Sequence, residues 1–351
     1  MGLEELGGWP AVLGRLMARQ DLTADETAAA LGDVLVGGAT PAQVAAFVTA
    51  LRIKGETVEE MAGLVRAMLD QAEPLVVPGK LVDTCGTGGD RSQSINVSTL
   101  AALVVAGAGA RVCKHGGRAA SSASGSADVL EALGVQIDLG PDGVRRCVEE
   151  AGMGFCFAPR FHPAMRHAIP VRRELGVPTV FNFLGPLANP ARAQYQVVGV
   201  SDPRMADKML GVLHANGARR AMIVYGDDGL DELSTTGTSS VLDLTVDEEG
   251  AAEVRTQKID PTDLGLARCE LISLRGGGAA DNAEAVRRVL DGERGAHRDI
   301  TMLNAAAGLM VAGLAEDLEA GIDEAAAVID DGRAAAVLSR LVETSSAVAG
   351  P

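Results

Sequence analysis

The chain has 351 residues, with 31 Lys+Arg against 47 Asp+Glu and a net charge of −16. At about 100–200 residues per domain, that length suits two domains with a large core, and a hydrophobic content of 47 % excludes a disordered chain. The acid excess argues against generic nucleic-acid binding, which needs Lys and Arg on phosphates, and one Trp, two Tyr and six Phe leave little for base stacking.

The opening stretch reads as helices with clear start signals. Thr23-Ala24-Asp25-Glu26, Thr40-Pro41-Ala42-Gln43 and Thr57-Val58-Glu59-Glu60 are each a capping box, and Pro41 takes the favoured first helical position. Apolar residues at helical spacing follow, such as Val44, Phe47, Val48 and Leu51. Pro74, Pro78 and Gly79 mark a linker. The expected division is therefore a small helical domain over 1–77 and an α/β domain over 78–351. No secretion signal is visible, because Glu4, Glu5, Asp21 and Asp25 interrupt the N-terminal stretch. With no apolar run of the roughly 18 residues that cross a bilayer, the expected location is cytoplasmic.

Beyond Lys80, short apolar strands alternate with helices. Strands are expected at 81–83, 110–114, 135–137 and 221–225, and helices at 97–106, 127–133 and 205–214. The Ala-rich stretch 305–342 suits packed terminal helices. This alternation implies a mainly parallel sheet flanked by helices. Ligands of such sheets bind beyond the carboxyl ends of the strands, which directs attention to the loops after Asp83, Lys114 and Tyr225. The five cysteines (Cys85, Cys113, Cys147, Cys156, Cys269) form no C-x-x-C pair and read as reduced structural thiols.

Four segments carry candidate chemistry. Asp83-Thr84-Cys85-Gly86-Thr87-Gly88-Gly89-Asp90 offers backbone N–H groups as an anion nest, and Ser94, Asn96, Ser98 and Thr99 follow at a helix start, where the dipole favours phosphate. It is neither a Walker A loop nor a dinucleotide fingerprint, and a plain glycine turn is the competing reading. Lys114-His115-Gly116-Gly117-Arg118-Ala119-Ala120-Ser121-Ser122 adds a point charge and a Ser-rich turn. Residues 91–127 contain no Asp or Glu, as expected of a region lining a polyanion site. In the loop Tyr225-Gly226-Asp227-Asp228-Gly229-Leu230-Asp231-Glu232, Asp231 and Glu232 are candidate Mg²⁺ ligands beside a pyrophosphate, since Mg²⁺ takes one or two carboxylates plus substrate oxygens. A solvated acidic turn is the alternative. Residues 151–173, also free of acids, hold Arg160, His162, Arg166, His167, Arg172 and Arg173, and five of the six Phe lie between 155 and 183. Rings beside guanidinium groups suit a flat aromatic carboxylate, although a basic helix face over core Phe fits the composition equally.

Together these motifs resemble the anthranilate phosphoribosyltransferase family, along essentially the whole chain. The specific marks are Gly86–Asp90, Asn96-Val97-Ser98-Thr99, Lys114-His115-Gly116, Ser124–Glu131, Phe181-Asn182-Phe183-Leu184-Gly185-Pro186-Leu187 and Asp231-Glu232. The resemblance implies a helical domain hinged to a larger α/β domain, with the segment around 163–178 joining the helical part and homodimers forming through it. It implies transfer of the phosphoribosyl group of phosphoribosyl pyrophosphate (PRPP) to anthranilate, with Mg²⁺ as cofactor. By motif match, Gly86, Gly89, Asp90, Ser94, Asn96, Val97, Ser98, Thr99, Lys114 and Ser126 would hold PRPP. Ser98, Asp231 and Glu232 would lie at the metal, with Lys114, Asp231 and Glu232 the catalytic set. Gly86, His115, Gly117, His162 and Arg172 would face anthranilate. The chain departs from the pattern at Gly117, where the family carries Asn, and at Ser94, where Thr is usual. A paralogue acting on another aromatic amine, a nucleoside phosphorylase related in fold and a non-catalytic binder are the alternatives.

Overall fold

The computed structural model describes residues 2–119 and 123–350. Four helices open the chain: α1 (Gly8–Met17), α2 (Ala24–Leu35), α3 (Pro41–Lys54) and α4 (Val58–Asp70). The last three start as expected, each at a Thr whose hydroxyl accepts from the N3 amide while the N3 side chain returns to the Thr amide. Those reciprocal bonds satisfy two of the amides that every helix start leaves unpaired.

The sheet begins at β1 (Val82–Gly86), followed by α5 (Val97–Gly107), β2 (Val112–Gly116), α6 (Ser126–Ala132), α7 (Pro141–Ala151) and β3 (Met153–Phe157). Short helices α8 (Ala158–Phe161), α9 (Ile169–Leu175) and α10 (Phe181–Leu184) lead to β4 (Tyr195–Gly199), α11 (Ala206–Ala215) and β5 (Arg220–Gly226). Strands β6 (Ser239–Val246) and β7 (Ala252–Ile259) precede four closing helices: α12 (Ala279–Leu290), α13 (Ala296–Ala312), α14 (Leu318–Asp330) and α15 (Arg333–Ala349). The order is β3-β2-β1-β4-β5-β6-β7, parallel from β3 to β5 and antiparallel beyond. Residues 135–137, expected as a strand, form no regular element and pair with no strand among the described residues. Val135 and Ile137 are buried in the core, so burial alone produced their strand-like pattern.

Strand alternation sorts the core into two layers. Val197, Met222 and Val224 face the closing helices and α5. Val198, Ala221 and Ile223 face a second core that also contains Phe47, Leu64, Met209 and Val171. The N-terminal helices therefore pack continuously with one sheet face and with α9. Neighbours β2 and β4 flank β1, so consecutive crossovers leave in opposite directions and open a crevice at the carboxyl ends of β1 and β4.

Candidate active site

That crevice is a cavity of about 430 Å³. Every residue assigned above to PRPP, metal or anthranilate lines it, except His162. Residues 120–122 of the Ser-rich turn lie outside the described residues.

Gly88 and Gly89 take left-handed backbone conformations (φ 67° and 83°), as do Arg91 and Gln93 (φ 60° and 57°). This curls the chain after β1 into a concave run of N–H groups suited to an anion. The Asp90 carboxylate holds the curl, accepting from the Ser92 amide (3.3 Å) and hydroxyl (2.6 Å). Ser201 fastens its other side, donating from its hydroxyl to the Gly88 carbonyl (2.8 Å) and from its amide to Thr87 Oγ1 (3.1 Å). At the start of α5, the Thr99 hydroxyl is buried without a partner. An orphaned donor at a helix N-terminus is what a phosphate would satisfy.

Lys114 is buried on β2, and its ammonium donates to the Thr84 carbonyl and to Ser98 Oγ (3.2 Å). Behind it lies Asp83, fully buried, accepting from Asn189 Nδ2 (2.8 Å) and the His115 amide (3.2 Å). Burial pushes Asp83 up to about 6, against the pull of Lys114 and the Asn189 hydrogen bond. Two other cations of the acid-free stretch are engaged by the protein itself. Arg118 pairs with Asp128 and Glu131, and Arg111 donates to the Pro78 carbonyl.

Of the four acids after β5, two are structural. Asp227 pairs with Lys258, and Asp228 accepts from the Leu230 amide (3.1 Å) and the Ser234 hydroxyl (2.5 Å), closing the turn. Asp231 and Glu232 reach back across the crevice: Asp231 Oδ2 accepts from the Gly88 amide (2.7 Å), and Glu232 Oε1 from the Ser98 amide (3.2 Å). Burial, then Asp90, raises Asp231 to about 7. Burial, then Asp231, raises Glu232 well above the ordinary carboxylate range, with Lys114 opposing. Three carboxylates facing one lysine in a desolvated crevice are short of positive charge. No group of three or more His, Cys, Asp or Glu among the described residues forms a closed metal cage, and Mg²⁺ does not need one, because it keeps waters and takes substrate oxygens. The donor set fits a hydrated magnesium ion.

On the acceptor side, Arg172 stacks over the Phe181 ring at 5.4 Å. Burial lowers its pKa, and among the described residues no carboxylate pairs with it. Phe181 thus meets the expectation of a ring beside a site guanidinium, as does Phe157, which lies 5.6 Å under Arg118 at the edge of the crevice. Phe155 and Phe161 belong to the core, and Phe183 lies under Arg52. Arg160 pairs with Glu73, and neither Arg166 nor Arg173 lines the crevice.

The two histidines separate. His115 Nδ1 donates to the Gly185 carbonyl (3.1 Å), and Nε2 is buried without a partner. His162, expected to face the acceptor, is not among the residues that line the crevice. It stacks behind His115 at 5.1 Å, and its Nε2 donates to the Ala188 carbonyl (2.9 Å). It fixes the wall rather than forming it. Burial, then His162, lowers His115 to about 3. The folded state therefore binds fewer protons than the unfolded chain between about 3 and the ordinary 6.5. Stability from His115 is complete above 6.5 and is lost as pH falls toward 3, at about 1.4 kcal/mol per unit. His115→Asn keeps a donor toward Gly185 without the charge, so its Tm should fall less than wild type between pH 7 and 4.5 in calorimetry. Parallel curves would discharge His115 from this role.

Several contributors escaped the sequence reading. Asn182, Gly185 and Pro186 line the crevice, although only their motif was noted. Gly199 sits directly behind the Asp231 backbone. Asn282 donates to Asn96 Oδ1 (2.8 Å), while Asn96 donates to the Ser124 carbonyl (3.0 Å). Lone polar residues within apolar helices, such as Asn282 and Asn304, were the available signal.

Comparison with known proteins agrees with this geometry. Residues 10–72 match the helical bundle domain of a glycosyl transferase family, and residues 78–335 match the family's a/b domain. An anthranilate phosphoribosyltransferase of Nocardioides sp. is 55 % identical over 343 residues, covering 96 % of this chain and 99 % of that protein. The Chloroflexus aggregans protein of the same name is 49 % identical, covering 95 % and 97 %. Among solved structures, the Thermus thermophilus anthranilate phosphoribosyltransferase superposes with TM-score 0.88 at 42 % identity, covering 95 % of this chain and 99 % of that one. The Saccharomyces cerevisiae enzyme in complex with PRPP and Mg gives TM-score 0.86 at 28 % identity, covering 97 % and 98 %. Likeness of this depth along nearly the full length, with the same two domain types in the same order, means that this chain belongs to the anthranilate phosphoribosyltransferase family.

Proposed function

We propose that the protein transfers the 5-phosphoribosyl group of PRPP to the amine of anthranilate, giving N-(5-phosphoribosyl)anthranilate and pyrophosphate. The observation that carries this is a single strand-end crevice. It holds an amide nest, a buried lysine, a desolvated carboxylate pair and, beside an aromatic ring, an arginine without an acid partner among the described residues. The ribose C1–oxygen bond to pyrophosphate breaks as the C1–nitrogen bond forms, and the amine's proton passes to solvent. An aromatic amine presents its lone pair at neutral pH, so no strong base is required.

The glycine-loop amides and Thr99 hold phosphate oxygens, and Lys114, with Ser98, supplies positive charge where the diphosphate departs. Asp231, Glu232 and Ser98 would hold Mg²⁺, whose chemistry when bound is neutralisation of the leaving pyrophosphate. Arg172 grips the anthranilate carboxylate with the ring against Phe181. His115, neutral and with Nδ1 committed to Gly185, offers Nε2 as an acceptor that orients the amine. Positioning of the two substrates supplies much of the remaining acceleration. The helical part over 1–77, joined by α9, is the proposed homodimerisation domain. Met17, Val36, Ile53 and Val177 are exposed apolar side chains in these segments. No helix among the described residues is long and apolar enough to cross a membrane, which suits the proposed cytoplasmic location.

The test is loss of anthranilate fluorescence when purified protein meets PRPP, Mg²⁺ and anthranilate. Absence of product under those conditions rejects the proposal. Gly117 supports a second reading, a relaxed acceptor choice. Among the described residues a Cβ there would meet only the Ala158 Cβ, at 3.9 Å, which leaves room for the Asn side chain of the family pattern. Gly117→Asn should raise kcat/KM for anthranilate about 3- to 10-fold, the worth of one hydrogen bond. A panel of substituted aromatic amines run on both proteins decides between the readings, and an unchanged kcat/KM removes this account of Gly117.

A further inference from the structure

Asp231 and Glu232 lie on irregular chain between β5 and β6, where no regular hydrogen-bond ladder fixes the backbone. The Gly88 and Ser98 amides each hold one carboxylate end, but two buried carboxylates that repel one another also need the backbone beneath them fixed. The holding group is on α13. Asn304 Oδ1 accepts from the Leu233 amide (2.9 Å), and Asn304 Nδ2 donates to the Leu233 carbonyl (2.8 Å). The second amide hydrogen of Nδ2 donates to the Ile300 carbonyl (2.9 Å), which locks the side chain on its own helix. Asn304 is 3 % exposed and Leu233 fully buried, so water cannot replace either bond. The side-chain amide thus pairs with a main-chain residue at two points, next to Glu232. Two-point pairing fixes rotation as well as position, which a single bond does not.

We propose that Asn304 is a positioning residue that sets the orientation of the Asp231–Glu232 pair and thereby the affinity of the site for the divalent cation and its PRPP complex. The inference rests on the metal role proposed above for those carboxylates. Asn304 touches neither substrate, and its effect runs through the Leu233 backbone. Asn304→Asp is isosteric but sets a carboxylate oxygen against the Leu233 carbonyl, turning one attraction into a repulsion. Asn304→Ser removes the two-point grip and leaves a hydroxyl.

The experiment measures Mn²⁺ binding to the protein with PRPP, from the free Mn²⁺ signal in electron paramagnetic resonance. The Mg²⁺ concentration for half-maximal rate, the KM for anthranilate and Tm accompany it. Both variants should weaken Mn²⁺ binding and raise the Mg²⁺ half-saturation about tenfold, with the anthranilate KM within about twofold of wild type. Unchanged Mn²⁺ affinity overturns the proposal. So does an equal loss in every parameter, or failure of both variants to fold, since either makes Asn304 a general structural residue. A chain carrying Asp231→Asn and Glu232→Gln serves as control. If that chain binds Mn²⁺ as wild type does, the metal assignment fails. If it loses Mn²⁺ while the Asn304 variants keep it, only the positioning role fails.

Discussion

A chain carrying Asp231→Asn and Glu232→Gln together should lose about 1000-fold in kcat at saturating Mg²⁺ and PRPP, yet melt no lower than wild type. The loss follows from removing the negative charge that would hold the cation beside the departing diphosphate. Preorganised electrostatic groups of this kind are each worth about 100- to 1000-fold in rate. The unchanged or higher Tm follows from the opposite term. Both carboxylates are buried, burial is the leading cause of their raised pKa values, and Asp90 adds repulsion. Uncharged amides of the same shape escape that desolvation and still accept from the Gly88 and Ser98 amides. Steady-state kinetics and calorimetry on one preparation give both numbers. Near-normal turnover at saturating Mg²⁺ would show that these acids hold no essential cation, and a collapsed Tm would show that they are structural.

Gly199→Ala should cost about 100-fold in kcat/KM for PRPP and lower Tm as well, although residue 199 carries no functional group. Gly199 ends β4, paired with Gly86 at the end of β1. A Cβ at 199 would fall within van der Waals contact of the Asp231 carbonyl, and one at 86 would meet the Asp231 carboxylate. The two glycines differ in consequence. At 86 the obstacle is a side-chain end, whereas at 199 it is backbone, and the turn bearing Asp231 must retreat. A shift of about 1 Å at a reacting centre can cost about 100-fold in rate, and overpacking typically costs about 1–3 kcal/mol. Activity near wild type in Gly199→Ala would mean that the Asp231 turn tolerates displacement, which would also weaken the argument for a rigid carboxylate pair.

Local signals were legible where local physics decides. The Thr caps of α2, α3 and α4 and the Pro41 start read directly, because a capping box is satisfied within four residues. The nest at Gly86–Asp90 and the helix start at Asn96 read for the same reason. Residues 135–137 misled, since burial among helices and burial in a sheet leave the same apolar mark. Among the acids after β5, composition alone does not separate Asp227 and Asp228 from Asp231 and Glu232; the family resemblance singled out the second pair without giving a physical reason. Their roles divide only because Lys258 lies on a neighbouring strand and Ser234 closes the turn.

What the amino-acid sequence determined by itself is the helical-then-α/β division, the glycine nest and the absence of acids around it. Those features rest on capping, strand–helix alternation and charge, all of which act over short stretches of chain. The tertiary structure alone decided that His162 stands behind His115, that Arg172 has no acid partner among the described residues, and that Asn304 and Gly199 meet the Leu233 and Asp231 backbone from far away in sequence. Such contacts join separate strand ends and a closing helix across the crevice. Their energy depends on distance in space and on burial, and neither quantity is carried by residue spacing along the chain.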